Sequence, residues 1–463
     1  MTLDLLVGGM PRGGTTVAAK FMSLHPDMFC YAGETHMIPF MHGLFGQLPC
    51  RRDKVDLVSK FLRQQFMTAM VEMPRFSVSQ GAHPGNLIFE EKNVDDLVDA
   101  IRGHLNNQLY GVDLYKASLI TLRELLSKSK AEQRIIFGEK TPNNIFAMAD
   151  YARLVATKNI VVMREPIGVL RSMKARVEGG DAYSGAFKGD LETNIGMYLE
   201  YAMAAQQVLN SSGEGLLVRY EDVAQTPATV VQEMFSLFGR EAEERVVQFV
   251  EGKWDRDIAN RAPMNYKRLN ITTGYAELSP IDTWKVFSLT REFRKAFGYS
   301  DEEMAEFGFE VPSKWPDVEV PSKVLPLYGF HQTGWIGGPW MKCKGGLVAY
   351  MGKGRVHDIN LEFKSKFPEQ IQGEVELRVS VNSKQREMLK VAAGSQSVTV
   401  NVKIRSDELV PMGNKGGYVV IDLASSVAYS QLGHTANGDD AREISFQLSN
   451  WKIDKKPSRW WWR

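Results

Sequence analysis

The sequence predicts two folds in one chain: an α/β fold built on a parallel sheet with flanking helices, and a C-terminal all-β sandwich or jelly roll. In roughly the first 310 residues, short apolar runs alternate with stretches whose apolar residues recur every three or four positions. This alternation is typical of a parallel sheet covered by helices. After residue 327, alternating strand-like runs are separated by Gly, Asn and Ser turns, which predicts an antiparallel β domain.

Composition and charge exclude several classes of protein. The 463 residues are enough for two or three domains. A content of 44% hydrophobic and 24% charged residues is typical of a folded, soluble chain. The 56 basic residues are nearly balanced by 55 acidic ones, so the net charge does not favour a nucleic acid as partner. Any anion-binding site must therefore be local.

Cysteine usage and hydropathy predict the compartment. The 3 cysteines have no CxxC spacing, which argues against a disulfide scaffold or a cysteine zinc site. No apolar run reaches the length of a membrane span, and the N-terminal residues lack the features of a cleavable signal. We therefore expect a cytoplasmic protein without a transmembrane segment.

The elements of the α/β part follow one another in a regular order. Leu3–Val7 is an apolar run that ends at two glycines, and Thr15–Leu24 places apolar residues on one helical face. A strand, a glycine-rich loop and a helix are therefore predicted. Helical periodicity dominates about residues 40–130, which we interpret as a helical insertion. Two further strands are predicted at Ile160–Met163 and Gly215–Val218, each followed by a helical stretch.

Four closely spaced prolines follow the helical part: Pro312, Pro316, Pro321 and Pro326. Because prolines stiffen an extended chain, the sequence predicts a first domain over 1–310, a Pro-rich linker over 311–326 and a β domain over 327–463. The strands predicted in the β domain include Asn360–Phe363, Val375–Val381, Val398–Ile404, Tyr418–Leu423 and Ile444–Leu448.

The glycine-rich loop has the composition of an anion-binding site. It lies between a predicted strand and a predicted helix, where backbone N–H groups and the helix N-terminus can surround a phosphate-like oxyanion. Against the nucleotide-binding pattern G-x-x-x-x-G-K-[ST], Gly8, Gly13 and Thr15 match, whereas Gly14 stands in place of the lysine. The nearest cation is Arg12.

The same comparison disfavours a magnesium-dependent kinase. Such an enzyme needs an aspartate after a neighbouring strand to help hold the metal, but the strand Ile160–Met163 is followed by Arg164. Cationic side chains thus replace the metal in this pattern, and no metal site is predicted.

Several distant segments together resemble the sulfotransferase superfamily, whose donor is 3′-phosphoadenosine 5′-phosphosulfate (PAPS). The local motifs are most similar to those of tyrosylprotein sulfotransferases, and the likeness covers about residues 3–300. It implies a P-loop-like fold. One departure is Glu165-Pro166, where Asp-Pro or Asp-Gly is commoner in the family. The segments that carry the likeness are Pro11–Thr16, His25-Pro26, Gly33–His36, Ile38-Pro39, Arg164–Ser172 and Arg219–Asp222.

The resemblance implies which residues bind the donor. Those expected around the 5′-phosphosulfate are Arg12, Gly13, Gly14, Thr15 and Thr16. Those expected at the 3′-phosphate are Arg164, Ser172 and Arg176, and the i, i+4 spacing of the last two places both on one helical face. Tyr220 resembles a tyrosine that borders the nucleotide, although a tyrosine at the end of a strand is also a common core residue.

Two residues are implied to act on the transferred group. A hydroxyl acceptor must lose its proton, so a general base is required. Glu34 matches the family's glutamate base, and His36 is the competing candidate for this role. Lys140 resembles a lysine that stabilises charge on the bridging oxygen, and Arg12 would contribute to the same stabilisation. The alternative for Lys140 is a simple ion pair with Glu139 or with a carboxylate on the surface.

The acceptor is the least determined part of the prediction. The C-terminal β region, which includes Gly334–Trp340, resembles the jelly-roll domains appended to some bacterial glycan-modifying enzymes. This favours a glycan hydroxyl as acceptor, although any one tryptophan is more often a core residue. Sulfation of a tyrosine or of a small natural product remains an alternative. A lectin-like binding protein with a degenerate nucleotide fold is an alternative from another class. The intact set of Arg12, Glu34, Lys140, Arg164 and Ser172 argues against it.

Overall fold

A computed structural model of the chain divides into two compact units, which are described separately. The first unit contains Met1–Gly179, Tyr201–Ala276 and Glu292–Gly308, and the second contains Gly180–Glu200, Glu277–Arg291 and Phe309–Arg463. The structure describes residues 1–45, 55–72, 89–107, 112–129, 134–180, 187, 189–211, 215–262, 276–307, 309, 320, 322–331, 340–352, 354, 356–367, 374–392, 394–412, 416–430 and 443–455.

The first unit is built on a five-stranded sheet whose strands are all parallel. Its strands are β1 (Leu5–Gly9), β2 (Met28–Tyr31), β3 (Ile136–Lys140), β4 (Lys158–Met163) and β5 (Gly215–Arg219). The strand order is β2-β3-β1-β4-β5, so β1 lies at the centre and its two neighbours follow much later in the chain. The predicted α/β fold is confirmed. The sequence predicted β1, β4 and β5 but missed the short strands β2 and β3.

Outside the five-stranded sheet, most of the described residues of the first unit lie in helices. Within about residues 40–130, predicted to be a helical insertion, nearly all of the described residues are helical, including a π-helical turn at Met67–Glu72. The α-helices are Thr15–Met22, Met37–Phe45, Val55–Phe66, Glu91–Asn106, Val112–Ser129, Ile145–Val155, Pro166–Glu178, Leu191–Ser211, Tyr220–Gln225, Pro227–Ser236, Glu244–Val250, Arg256–Arg261, Pro280–Ala296 and Asp301–Glu306. None of the described helices is both long and apolar enough to cross a bilayer.

The central strand β1 is apolar over its whole length because it is covered on both faces. Every residue of β1 is buried, as expected for a parallel sheet between two helical layers. On one side, Leu5 and Val7 of β1 and Val162 of β4 belong to the core cluster that also holds Phe21 of the first helix and Phe235. This packing fixes the sheet, and with it the edge at which all five strands end.

The carboxyl edge of the sheet brings distant residues together. In the register, Val7 of β1 pairs with Lys140 of β3, and Gly9 pairs with Val162 of β4. The chain leaves β1 towards one side of the sheet and returns to its other side at β4, which makes this edge a topological switch point. Ligands of open α/β folds bind in the crevice at such a point.

The second unit contains a nine-stranded sheet whose pairings are all antiparallel. Its main path is β10-β9-β13-β7-β16-β8-β11. The strands are β6 (Lys323–His331), β7 (Trp340–Gly352), β8 (Val356–Phe367), β9 (Glu374–Val381), β10 (Lys384–Ala392), β11 (Gly394–Arg405), β12 (Val410–Pro411), β13 (Gly416–Ser425) and β16 (Phe446–Lys455), and β14 (Tyr429–Ser430) pairs separately with β15 (Glu443–Ile444).

The nine-stranded sheet is curled around its own core. The end strands of the path, β10 and β11, are separated by one residue in the sequence, and one apolar cluster contains residues from strands along the whole path, such as Val379, Phe363 and Val402. The predicted all-β fold is confirmed, and each of its five predicted runs overlaps one or two of the observed strands. Trp340 belongs to this core, as is common for a tryptophan in a β domain.

The second unit also includes helical residues from earlier in the chain. Glu192 accepts a hydrogen bond from Tyr350 of β7 at 3.2 Å and pairs with Lys285 at 2.8 Å. Ser288 and Tyr418 of β13 share a hydrogen bond of 2.5 Å. The polar groups on these helix faces therefore find their partners on the curled sheet.

The start of β6 differs from the predicted linker. Residues 323–326 were assigned to the linker, but β6 begins at Lys323 and includes Pro326. A proline is tolerated here because β6 is an edge strand, paired only with β7, and the pairing shifts register next to Pro326. The boundaries 1–310, 311–326 and 327–463 otherwise stay a prediction. Predicted features that lie outside the described residues are Pro312, Pro316, Pro321 and residues 334–339.

Candidate functional site

The loop between β1 and the first helix adopts the tight turn that the glycines predict. The N–H of Gly13 donates to the carbonyl of Met10 at 2.8 Å, and Gly14 precedes the helix with φ 97°. A Cβ at Gly14 would lie 2.7 Å from Cδ2 of Tyr220, so both the backbone conformation and the space require glycine. Arg12 also has a positive φ, of 67°, which is uncommon for a residue with a side chain.

Two of the predicted motifs meet at Arg12. Its Nε donates to Oγ of Ser172 at 3.1 Å, which joins the loop to the helix Pro166–Glu178. A nitrogen of the buried Arg164 guanidinium lies 3.5 Å from the Arg12 carbonyl oxygen. The Arg164 guanidinium also stacks on the ring of Tyr220, with 4.2 Å to the ring centroid. The structure thus brings together four residues that the sequence assigned to the donor site.

The other predicted donor residues lie on the same elements. Thr15 is buried and Thr16 is exposed in the first turn of the first helix, directly after the glycines. Arg176 lies one turn beyond Ser172 in its helix and is partly buried. All of them follow the carboxyl ends of β1 or β4.

A second cluster contains Glu34, His36 and Lys140. Lys140 ends β3 and is 1% exposed, and its Nζ lies 2.8 Å from Oε1 of Glu34. The ring of His36 lies 3.4 Å from the other carboxylate oxygen of Glu34. Lys140 therefore pairs with Glu34, and the simple ion pair with Glu139 that the sequence left open is not formed.

The charge state of Glu34 follows from these two neighbours. Burial acts to raise the pKa of Glu34, but the Lys140 ammonium and the His36 ring outweigh it and hold the pKa well below its ordinary value. The Glu34 side chain keeps 42% of its surface exposed. It is thus an ionised carboxylate that a molecule from solvent can reach.

A family comparison bears on this arrangement. The model of a family described as the sulfotransferase family matches residues 4–244, which is more than half of the chain. This chain belongs to the sulfotransferase family. No curated protein matches it. The matched residues include the anion loop, the Glu34 and Lys140 cluster, and Arg164 with Ser172.

Solved structures provide a more distant comparison. A sulfotransferase domain from the curacin biosynthetic pathway is 14% identical, with 65% of this chain and 99% of that chain covered and a TM-score of 0.34. A sulfotransferase from Alicyclobacillus acidocaldarius is 11% identical, covering 66% and 99%, with a TM-score of 0.32. A family 35 carbohydrate-binding module from Clostridium thermocellum is 9% identical, covering 30% and 97%, with a TM-score of 0.18.

The residues of this sulfotransferase fit a doubly phosphorylated nucleotide donor. The loop offers backbone N–H groups at a helix N-terminus, and two arginines lie beside it. Such a set binds oxyanions through charge-assisted hydrogen bonds. Among the described residues, no three His, Cys, Asp or Glu side chains come together as metal ligands.

Glu165 has a role that the sequence did not indicate. Its carboxylate caps the helix that carries Ser172, because it accepts hydrogen bonds from the N–H groups of Ile167, at 2.7 Å, and Gly168. Its own N–H donates to the carboxylate of Glu221 at 3.2 Å. Burial and the nearby Glu221 charge raise the pKa of Glu165 to about 8. Glu165, at a position where aspartate is commoner in the family, therefore still caps the start of this helix.

Glu139 is the second residue that the sequence missed. It is 0% exposed and accepts hydrogen bonds from the side chains of Thr35, Thr141 and Asn144 at 3.0, 2.6 and 2.6 Å. Most acidic residues lie on the surface. An acidic residue next to a lysine therefore gives no sequence signal that its carboxylate is buried. Only the short buried strand on which it lies could have indicated it.

Proposed function

We propose that this sulfotransferase transfers the sulfuryl group of PAPS to a hydroxyl group of a carbohydrate or glycoconjugate. The observation that carries the proposal is the contact of Arg12 with Ser172 beside Arg164. It joins the anion loop to the helix that follows β4, so two oxyanion-binding elements face one ligand. A ligand with phosphate groups at two positions matches that arrangement better than a single phosphate does.

The proposed donor site uses the described residues as follows. The N–H groups of Gly13, Gly14, Thr15 and Thr16, with the Arg12 guanidinium, would bind the 5′-phosphosulfate. Arg164, Ser172 and Arg176 would bind the 3′-phosphate. Tyr220, which already packs on Gly14 and Arg164, would border the nucleotide. The donor supplies an activated sulfuryl group.

Glu34 is proposed as the general base. Its carboxylate is ionised and half open to solvent, so it can accept the proton of an incoming hydroxyl. His36 contacts the same carboxylate and remains the competing base. Glu34 is preferred because it matches the family's glutamate base and its carboxylate is ionised and open to solvent.

Lys140 is proposed to stabilise the negative charge that grows on the leaving oxygen. Its ammonium is almost fully buried and fixed at 2.8 Å from Glu34. A buried, preorganised cation interacts with developing charge more strongly than a solvated one. Arg12 would add to the same stabilisation.

The acceptor part of the proposal rests on the β-rich second unit. Trp340 is buried in its core and cannot serve as a platform for a sugar, whereas Trp451 keeps 37% of its surface exposed. A tyrosine or a small natural-product hydroxyl is the second candidate, favoured by the local motifs around Glu34. A binding protein without catalysis is disfavoured, because the Glu34 and Lys140 pair has the groups that proton transfer and charge stabilisation need.

The test has a binding part and a transfer part. Calorimetric titration should show that 3′-phosphoadenosine 5′-phosphate binds without magnesium and more tightly than ATP. Labelled PAPS is then offered with oligosaccharides, a tyrosine-containing peptide and simple phenols. Label on the oligosaccharides supports the full proposal, and label only on the peptide or phenols overturns the glycan acceptor. Equal or tighter binding of ATP that depends on magnesium would overturn the donor.

A further inference from the structure

Glu139 takes no part in the proposed chemistry, yet its carboxylate is saturated with hydrogen bonds. Oε1 accepts from the N–H of Thr35 at 3.1 Å, from the Thr35 hydroxyl at 3.0 Å and from the Thr141 hydroxyl at 2.6 Å. Oε2 accepts from the Asn144 amide at 2.6 Å. A buried carboxylate with four donors is held in one orientation, and it holds the donors in turn.

The donors belong to the two segments that carry the proposed reacting groups. Thr35 lies between Glu34 and His36, and Thr141 directly follows Lys140. The hydroxyl of Thr141 also accepts from the N–H of His36 at 3.3 Å. The loop and the end of β3 are therefore linked both through Glu139 and directly.

The linkage restrains a backbone that would not hold its shape alone. His36 has φ 54°, a left-handed conformation that is sparsely populated by residues other than glycine and persists where the surroundings enforce it. The network is also anchored to the centre of the sheet, since the Asn144 amide donates to the Val7 carbonyl of β1 at 3.2 Å. Glu139 thus connects the loop that carries Glu34 and His36 to the central strand β1 through Asn144.

We propose that Glu139 is a positioning residue that sets the separation between Glu34 and Lys140; this inference rests on the proposed roles of those two residues. A glutamine at position 139 has nearly the same shape but replaces one acceptor oxygen with an NH₂ group. Whichever oxygen is replaced, the NH₂ group faces N–H or O–H donors. The loop carrying Glu34 then loses its fixed distance from Lys140.

The test compares Glu139→Gln with the parent in the full chain. A crystal structure should show the distance from Lys140 Nζ to Glu34 Oε1 lengthened beyond about 4 Å, the limit for an ion pair. The affinity for 3′-phosphoadenosine 5′-phosphate, measured by calorimetry, should stay within about threefold, because the Arg12 and Ser172 contacts are separate from this network.

Turnover is measured with water as the acceptor, since the natural acceptor is not identified. PAPS and water then give 3′-phosphoadenosine 5′-phosphate, sulfate and two protons, counted with both product groups fully ionised. We expect the Glu139→Gln variant to turn over about 10–100-fold more slowly. The acid limb of its pH profile should move up, because Glu34 loses the cation that lowers its pKa.

The charged and titratable groups near Glu34 and Glu139 must be considered in reading that profile. They are Lys140, His36, Lys20 of the first helix, and Tyr31 and Cys30 of β2. Burial raises the pKa of Tyr31 and of Cys30, which moves both away from the acid limb. The ring of His36 contacts the Glu34 carboxylate at 3.4 Å, so the profile is repeated with His36→Asn in both backgrounds.

A matched pair at Thr35 keeps the inference testable if Glu139→Gln does not fold. Thr35→Val removes the hydroxyl that donates to Glu139 and keeps the shape, whereas Thr35→Ser keeps the hydroxyl. We expect about a 3–10-fold loss of turnover for valine and near-parental turnover for serine. Equal turnover of the valine and serine variants would count against the network.

The outcomes separate this inference from the proposed function. A folded Glu139→Gln variant with the parental distance, turnover and pH profile overturns the positioning role. So does a variant that loses nucleotide affinity and turnover to the same extent, because that result indicates a general structural role. Glu34→Gln is measured in parallel: if it is inactive while Glu139→Gln is fully active, the proposed base stands and only this inference fails. If Glu34→Gln is fully active, the proposed base itself is wrong.

Discussion

The two sheets of this chain use buried residues in different ways. At the carboxyl edge of the five-stranded sheet, several of the buried residues are polar or charged, as at Lys140, Thr141, Arg164 and Glu165. Along β9 of the nine-stranded sheet, the buried residues are every second one and all apolar, from Val375 to Val381. The parallel sheet therefore brings polar and charged side chains together at one edge, whereas the antiparallel sheet encloses an apolar core.

Strand direction explains the difference. All strands of a parallel sheet end at the same edge, so residues distant in sequence meet there. Neighbouring antiparallel strands end at opposite edges, and their side chains alternate between core and solvent. Substitutions at the edge of the first sheet should thus alter chemistry or binding, whereas substitutions in the second should alter stability.

The largest expected effect is on turnover at Glu34. Glu34→Gln should lower kcat by about 10²–10⁴-fold, the range for a positioned general base. Affinity for 3′-phosphoadenosine 5′-phosphate should be unchanged, because Glu34 is not among the residues that contact Arg12 or Ser172. Steady-state kinetics and calorimetry measure the two quantities. Loss of activity in His36→Ala but not in Glu34→Gln would identify the histidine as the base.

A smaller effect on binding is expected at Arg164. Arg164→Ala should weaken 3′-phosphoadenosine 5′-phosphate by about 2–3 kcal/mol more than adenosine 5′-phosphate, because a charged hydrogen bond to the 3′-phosphate is lost. Calorimetry with both ligands measures the difference. Arg164→Met retains much of the packing on Tyr220 and should show the same difference, whereas the exposed Arg153→Ala should show none. An equal loss for both ligands would contradict the assignment to the 3′-phosphate.

The smallest effect is on stability in the second unit. A Cβ at Gly196 would lie 1.2 Å from the carbonyl oxygen of Leu327 in β6, so Gly196→Ala forces two backbones apart. We expect a loss of about 1–3 kcal/mol in the free energy of unfolding, measured by urea denaturation. The matched control is Gly103→Ala in another helix, where the added methyl meets nothing within 4 Å and should stabilise by about 0.5–1 kcal/mol. Equal free energies of unfolding for the two variants would contradict the close packing of Gly196 against Leu327.

Residues that are close in sequence were the predictable part of the site. The loop from Gly8 to Thr16 and the Arg164 to Ser172 segment each carry a local pattern that indicates anion binding, and in the structure they follow the carboxyl ends of β1 and β4. The strand β3 was missed because it is short and ends in Gly-Glu-Lys, which lacks the apolar run typical of a strand. Glu139 was missed with it, since burial of a carboxylate depends on partners that the sequence does not place beside it.

The sequence by itself determined the two fold classes and the glycine-rich loop, because periodicity and glycine placement act over a few positions, and its resemblance to a known family supplied the candidate residues. Only the tertiary structure decided that Lys140 pairs with Glu34, 106 positions away, and that Arg12 contacts Ser172, 160 positions away. These pairs depend on the strand order β2-β3-β1-β4-β5. That order is set by the packing of helices on both faces and by the crossovers between parallel strands, which no local pattern specifies.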